Sequence, residues 1–183
     1  MKAIATVLLF LSACQLLAVE PTVVPAADLA KKWKRTKSLA APVEKVRKGL
    51  SVEVDGQPAA EVVEVKVDAD TACSFQNIQF KLDSAVLDGA ATFAQLAEIA
   101  TAMKAAGTES FVIEGHTCDR GAESHNLSLS QQRAVAVREA LAGLGVPAQR
   151  LVVLGFGESE PAVANTDEAA RELNRRVQIF RKL

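Results

Sequence analysis

The sequence predicts an α+β domain of two layers, helices packed on one mixed sheet, and two patterns lead there. Short apolar, β-favouring runs recur at residues 75–82, 111–115, 151–155 and 176–181. Between them lie stretches of helical spacing at residues 88–106 and 126–144, with a shorter one at 167–173. Strands that alternate with helices bury their apolar faces against one another, which gives two layers. A chain of 183 residues, 49% hydrophobic and 4% aromatic, fits one such domain plus attachments.

Each element has local support. In the first long helix Phe93, Leu96, Ala97, Ala100 and Met103 recur at helical spacing, and Gly107 stops it. In the second, Asn126, Ser128 and Ser130 offer caps before the apolar positions Ala134, Val137 and Leu141. Gly115 and Gly121 bracket a polar loop between the strand Phe111, Val112, Ile113 and that helix. Unpaired N–H groups at a helix N-terminus favour anions, and here they lie beside Thr117, Asp119, Asn126 and Arg133, a setting that suits a zwitterionic ligand.

Upstream of residue 70 the organisation changes. Lys2 and the apolar run from Ala3 to Ala13 have the form of an export signal, assigned to residues 1–18. Counted through Val19 the run is 17 residues, interrupted by Ser12 and Gln15, and short for a membrane span. Leu11-Ser12-Ala13-Cys14 resembles a lipobox, which would make Cys14 a lipidation site; the alternative is an ordinary secretory signal. Residues 19–50 are rich in proline, alanine and basic side chains and are expected to be an extended linker. Residues 51–69 alternate apolar and polar residues around Gly56 and Pro58, as in a short β-rich extension. Between Asp28 and Leu50 eight basic residues face two acidic ones, so this segment carries +6 and the remainder about −7. It is either a solvated spacer or a contact for anionic lipid or wall polymers. A net charge of −1 with so few aromatic residues argues against a nucleic-acid partner.

Five fragments, in order, resemble the OmpA-like C-terminal domain and, within it, the peptidoglycan-associated lipoproteins. They are Phe75-x-x-Ile78-x-Phe80 with Asp83-Ser84-Ala85; Gly115-His116-Thr117 with Gly121 and Asn126; Leu129-Ser130-x-x-Arg133-Ala134; Arg150-Leu151 with Gly155-Phe156-Gly157-Glu158 and Pro161; and Asn174-Arg175-Arg176-Val177. The resemblance covers residues 70–183 and implies a βαβαββ sandwich that binds peptidoglycan without cutting it. It implies that the ligand is stem-peptide diaminopimelate, its carboxylate held by Arg133. The family's acid for the ammonium directly follows Gly-His-Thr; here that residue is Cys118, and an acid comes one place later as Asp119. Asp119 is the expected substitute, with Glu123 and backbone carbonyls as other holders. The resemblance also marks Thr117, Asn126, Arg175 and Arg176, for which the alternatives are a helix cap at Asn126 and sheet-edge ion pairs at the arginines.

The expected role is therefore a non-enzymatic tether, without cofactor or metal. It would lie on the periplasmic face of the outer membrane through its lipid, or in the periplasm without one, with a homodimer or other envelope proteins as possible partners. Two alternatives are an inner-membrane stator or secretion-system component with a wall-binding domain, and an exported enzyme dependent on Cys118. His116, Cys118 and Asp119 could form a Cys–His pair or, with His125, a metal site, although no C-x-x-C or H-E-x-x-H pattern is present. Cys73 and Cys118 are expected to lie at opposite ends of parallel strands. Six residues of strand span about 20 Å, whereas a disulfide needs Cα atoms within about 7 Å, so no bond between them is expected.

Overall fold

The computed structural model of the protein describes residues 22–34, 42–51 and 61–183. The expected export signal, Cys14 and the Gly56/Pro58 turn lie outside the described residues. The elements are α1 (Ala26–Trp33), β1 (Glu44–Ser51), β2 (Glu61–Phe75), β3 (Gln79–Phe80), β4 (Leu87–Asp88), α2 (Ala90–Ala105), β5 (Phe111–His116), α3 (Glu123–Gly143), β6 (Leu151–Gly157), α4 (Glu168–Asn174) and β7 (Val177–Lys182). Five strands form one curled mixed sheet in the order β1-β2-β7-β5-β6, closed where Leu50 of β1 pairs with Gly155 of β6. Only β5 and β6 run parallel, joined by α3 as the crossover. The predicted two-layer α+β fold is thus present.

Both faces of the sheet are covered. Phe111, Ile113, Val153 and Ile179 meet Leu96, Ile99 and Met103 of α2 and Val137 and Leu141 of α3. On the opposite face Val65, Val67, Val112, Leu154, Phe156 and Phe180 form a second cluster. Every residue of β5 is buried, which explains its unbroken apolar start.

The second face also encloses charge. The Arg47 guanidinium lies 4.4 Å from the Phe156 ring centre and 5.5 Å from that of Phe180. Its Nε donates to Glu114 Oε1 at 2.7 Å, and Glu114 is fully buried. Glu160 accepts a further bond from Arg47 Nη1 at 2.5 Å. Burying such a pair repays little, but removing one partner would strand the other charge. His116 stacks on Phe156 at 5.3 Å, and burial, outweighing the nearby Glu114 carboxylate, pushes its imidazole below the ordinary value of 6.5.

Four expectations are corrected. Residues 19–50 are not linker throughout, because residues 26–33 form α1 and residues 44–51 form β1. Leu29 and Trp33 stand one helical turn apart and are buried, while Lys31, Lys32 and Lys34 stay in solvent. Trp33 is fully buried 5.0 Å from Phe111, and its Nε1 donates to the Thr71 carbonyl at 3.1 Å. Second, the domain does not begin at residue 70, nor are residues 51–69 a separate extension. β1 and β2 form an antiparallel ladder from Glu44–Asp68 to Ser51–Glu61, and β2 continues to Phe75 against β7, with a register shift between Asp68 and Cys73. Third, the strand expected at 75–82 ends at Phe75. The chain then turns to α2, where Thr92 Oγ1 accepts from the Gln79 N–H at 2.9 Å and donates to the Asn77 carbonyl at 3.1 Å. Fourth, Phe93 and Ala97 are exposed. The buried face of α2 is turned to include Gln95, whose amide exchanges hydrogen bonds with the Val24 backbone at 2.6 and 3.1 Å.

Cys73 and Cys118 are both free and buried. Cys73 aligns with Ile179 of β7 and through it with Ile113 of β5, whereas Cys118 lies beyond the end of β5.

The first half of α3 rests directly on backbone. A Cβ on Gly115 would lie 2.0 Å from the Ser130 carbonyl oxygen, and one on Gly155 2.8 Å from Gln131 N. Gly157, at φ +54°, donates its N–H to Ser130 Oγ at 2.8 Å. We expect Gly115→Ala to lower the free energy of unfolding by about 3 kcal/mol or more, since the clash is with backbone that can yield only by moving the helix. An unchanged urea midpoint would show that α3 does not sit this close.

His116 sets a pH dependence. Because its folded pKa is depressed, its contribution to stability is intact above the ordinary value of 6.5 and is lost as pH falls through that value toward the folded one. Between about pH 7.5 and pH 5.5 the chain should lose on the order of 1 kcal/mol more stability than His116→Asn does. Equal losses in urea titrations of the two proteins would refute the assignment.

Candidate functional site

The polar loop after β5 is fixed from two sides. His116 donates its N–H to the Arg176 carbonyl at 3.1 Å and Thr117 donates to the Gly157 carbonyl at 2.8 Å, prolonging the sheet's pairing beyond β5. Asn126 Nδ2 reaches the Cys118 carbonyl at 3.3 Å, the Arg120 carbonyl at 3.1 Å and Glu158 Oε2 at 2.5 Å. Asn126 is buried inside α3, which begins at Glu123, so it is a clamp for the loop rather than a helix cap.

On its outer side the loop is joined to α4 and the residue that ends it. Cys118 Sγ accepts from Arg175 Nη1 at 3.8 Å, Asp119 is paired with Arg171 at 2.8 and 3.4 Å, and Arg120 Nη2 meets Glu168 at 2.6 Å. Three successive loop residues thus meet positions 168, 171 and 175, which share one face of a helix. The Arg171 hydrogen bonds hold the Asp119 carboxyl below the usual carboxylate range, and Asp119 in turn raises Arg171.

A cleft of about 200 Å³ opens beside this zipped loop. It is lined by Ile78 and Phe80 from the segment before α2, His116 from β5, Arg133 from α3, and Glu172, Arg175 and Arg176 from α4 and its exit. Arg133 lies over Phe80, 5.0 Å from the ring centre, and its Nε donates to the Ser84 carbonyl at 3.0 Å. Burial lowers its pKa. Among the described residues its two Nη groups have no hydrogen-bond partner, so they are open to a ligand. Arg175 is raised because its bonds to Cys118 and Glu168 outweigh a burial cost that is the largest single effect. Arg176 is buried and lowered by that burial; its Nη2 donates to the Glu160 carbonyl and to Gln178 at 3.1 Å each, while its Nε has no partner. The ring nitrogens of His116 and Thr117 Oγ1 are likewise buried without a partner. Three guanidiniums and one carboxylate give the cleft an anion-binding character with a single acidic counterpart.

Of the residues expected at the site, Arg133 and Arg175 come together in the cleft. Thr117 and Asn126 hold the loop, and Asp119 faces Arg171. Sequence reasoning missed Glu172 and Arg171; the charges at 168, 171 and 175, repeating at helical spacing, were the available signal for the zipped face. No Cys–His pair is assembled, since the His116 ring makes no hydrogen bond and Cys118 is taken by Arg175. Among the described residues no group of three or more His, Cys, Asp or Glu side chains could hold a metal, and no helix is long and apolar enough to cross a membrane.

Comparison with known proteins agrees with this geometry. The chain is 36% identical over 109 residues to a peptidoglycan-associated lipoprotein of Haemophilus influenzae, covering 59% of this chain and 70% of that one. It is 35% identical over 131 residues to outer membrane porin F of Pseudomonas aeruginosa, covering 70% of this chain but only 35% of the porin. The chain thus spans about a third of that relative's length. The crystal structure of the peptidoglycan-associated lipoprotein from Burkholderia pseudomallei superposes with a TM-score of 0.51 at 31% identity, over 60% of this chain and 88% of that one. The sequence profile of the OmpA family matches residues 79–175, and the chain belongs to that family.

Proposed function

We propose that the chain binds peptidoglycan non-covalently and tethers the cell envelope to the wall, as a binding protein rather than an enzyme. The observation that carries this reading is the half-buried Arg133, braced by Phe80 and Ser84, with both Nη groups open to a cleft shared with Arg175 in a chain of the OmpA family. A planar guanidinium fixed at one end suits a carboxylate, which it takes in a forked pair. Thr117 and Asn126 serve by shaping the loop; Asp119 pairs with Arg171, and neither lines the cleft. The ligand group in this reading is the stem-peptide diaminopimelate; the names of the lipoprotein relatives support association with peptidoglycan.

Energetics fit a tether. Two charge-assisted contacts at roughly 1.5–3 kcal/mol each barely offset association costs of about 4–15 kcal/mol, so one site binds weakly. A polymer with many identical sites beside an anchored protein raises the effective concentration and makes weak sites sufficient. In this reading the anchor is a lipid on Cys14, which places the protein at the periplasmic face of the outer membrane.

Two experiments test these statements. In a pull-down with purified peptidoglycan the natural chain should sediment, and Arg133→Ala should lower its affinity about tenfold or more. Equal sedimentation of the two would remove Arg133 from the site, and a natural chain that stays in solution would refute wall binding. Growth with labelled palmitate should label the natural chain and leave Cys14→Ser unlabelled; a natural chain without label would refute the lipid anchor.

A further inference from the structure

The zwitterionic end of a stem peptide needs an acid as well as a guanidinium, and the carboxylates near the loop are mostly engaged. Asp119 is held by Arg171 through two contacts, Glu168 by both Arg120 and Arg175, and Glu158 by Asn126. Glu172 differs. Among the described residues it is the one carboxylate that lines the cleft, and it is exposed and enters no ion pair; Glu123, at the start of α3, is likewise exposed and unpaired but does not line the cleft. It follows Arg171 on α4, about 100° further around the helix, which turns it from Asp119's partner toward the cleft, while Arg175 both touches Cys118 and lines the cleft.

Resting on the wall-binding reading above, we propose that Glu172 receives the ligand's ammonium while Arg133 and Arg175 receive its carboxylate. The charges fit this division, because a cleft with three guanidiniums needs one carboxylate to favour an amino-acid end over a plain anion. His116 lines the same cleft from behind, its ring buried with Nε2 3.6 Å from the Glu114 carboxylate. Cys118 stands where an acid would otherwise follow Thr117. Its thiol carries no charge to offer an ammonium and lies against Arg175, a cation that would repel one. The acid is therefore supplied from α4, across the cleft from α3.

The test pairs a change in the protein with a change in the ligand. Purified peptidoglycan is used untreated and after N-acetylation of its free amines with acetic anhydride. The natural chain should bind the untreated polymer about tenfold better than the acetylated one, about 1.4 kcal/mol. Glu172→Gln should bind both equally, at the level the natural chain shows for the acetylated polymer. Glu172 is a surface position, so the variant should keep the natural unfolding midpoint. If Glu172→Gln retains the full preference for free amines, or if Asp119→Asn abolishes that preference in its place, the inference is overturned while wall binding stands. If the natural chain binds neither polymer, the wall-binding reading fails and this inference with it.

Discussion

The seat of α3 on glycine is the constraint on which the site depends. With no Cβ at Gly115 or Gly155, the helix backbone at Ser130 and Gln131 settles onto the strand ends, and the Gly157 N–H finds Ser130 Oγ. That contact fixes the height and rotation of α3. Arg133, three residues beyond Ser130, is thereby pointed over Phe80 and into the cleft. Asn126, one turn before Ser130, is placed where it gathers the loop. A single helix position thus governs both the arginine that enters the cleft and the loop beside it, as expected where sites are carried by rigid elements and supported from behind.

The parts of the fold that follow from local periodicity were legible in the sequence. β5, α3, β6 and β7 appear within a few residues of their expected bounds, because each carries its own apolar pattern and its own stop. What depends on distant partners was not. α1 is eight residues long, follows Pro25 and carries three lysines with Lys34, and its identity as core rests on Trp33 finding Phe111 and Thr71 far along the chain. No propensity marks Arg47 as an interior residue; only the curl that brings β1 around to β6 encloses it with Glu114. The turn of α2 is likewise set by Gln95 meeting Val24 rather than by the spacing of Phe93 and Ala97.

The site divides along the same line. Arg133 and Arg175 were legible because each sits in a fragment that resembles the family, and both reach the cleft. Asp119, the acid expected from the sequence, stands in the structure against Arg171, 52 residues away, while its neighbour on the loop faces Arg175. A carboxylate already engaged by a guanidinium is partly neutralised and attracts a ligand's ammonium less strongly than an unpaired one. Glu172 lies in no fragment that drew attention, and only the rotation of α4 turns it to the cleft.

The loop and α4 therefore act as one unit. Ion pairs at Asp119 and Arg120, with the sulfur contact at Cys118, hold the loop to the helix that presents Glu172 and leads into Arg175. Each surface pair is worth little alone, at most about 1 kcal/mol, and screening weakens it further. Their effect is positional. Fixing both sides of a small cleft before binding reduces the ordering that a ligand must impose, which matters most where affinity rests on two or three charged contacts. Placing a thiol after Thr117 gives up a carboxylate in the loop and gains a seam between loop and helix. If the ligand is held as proposed, its carboxylate meets the guanidinium of α3 and its ammonium the acid of α4, and the distance between these two helices sets which zwitterion fits.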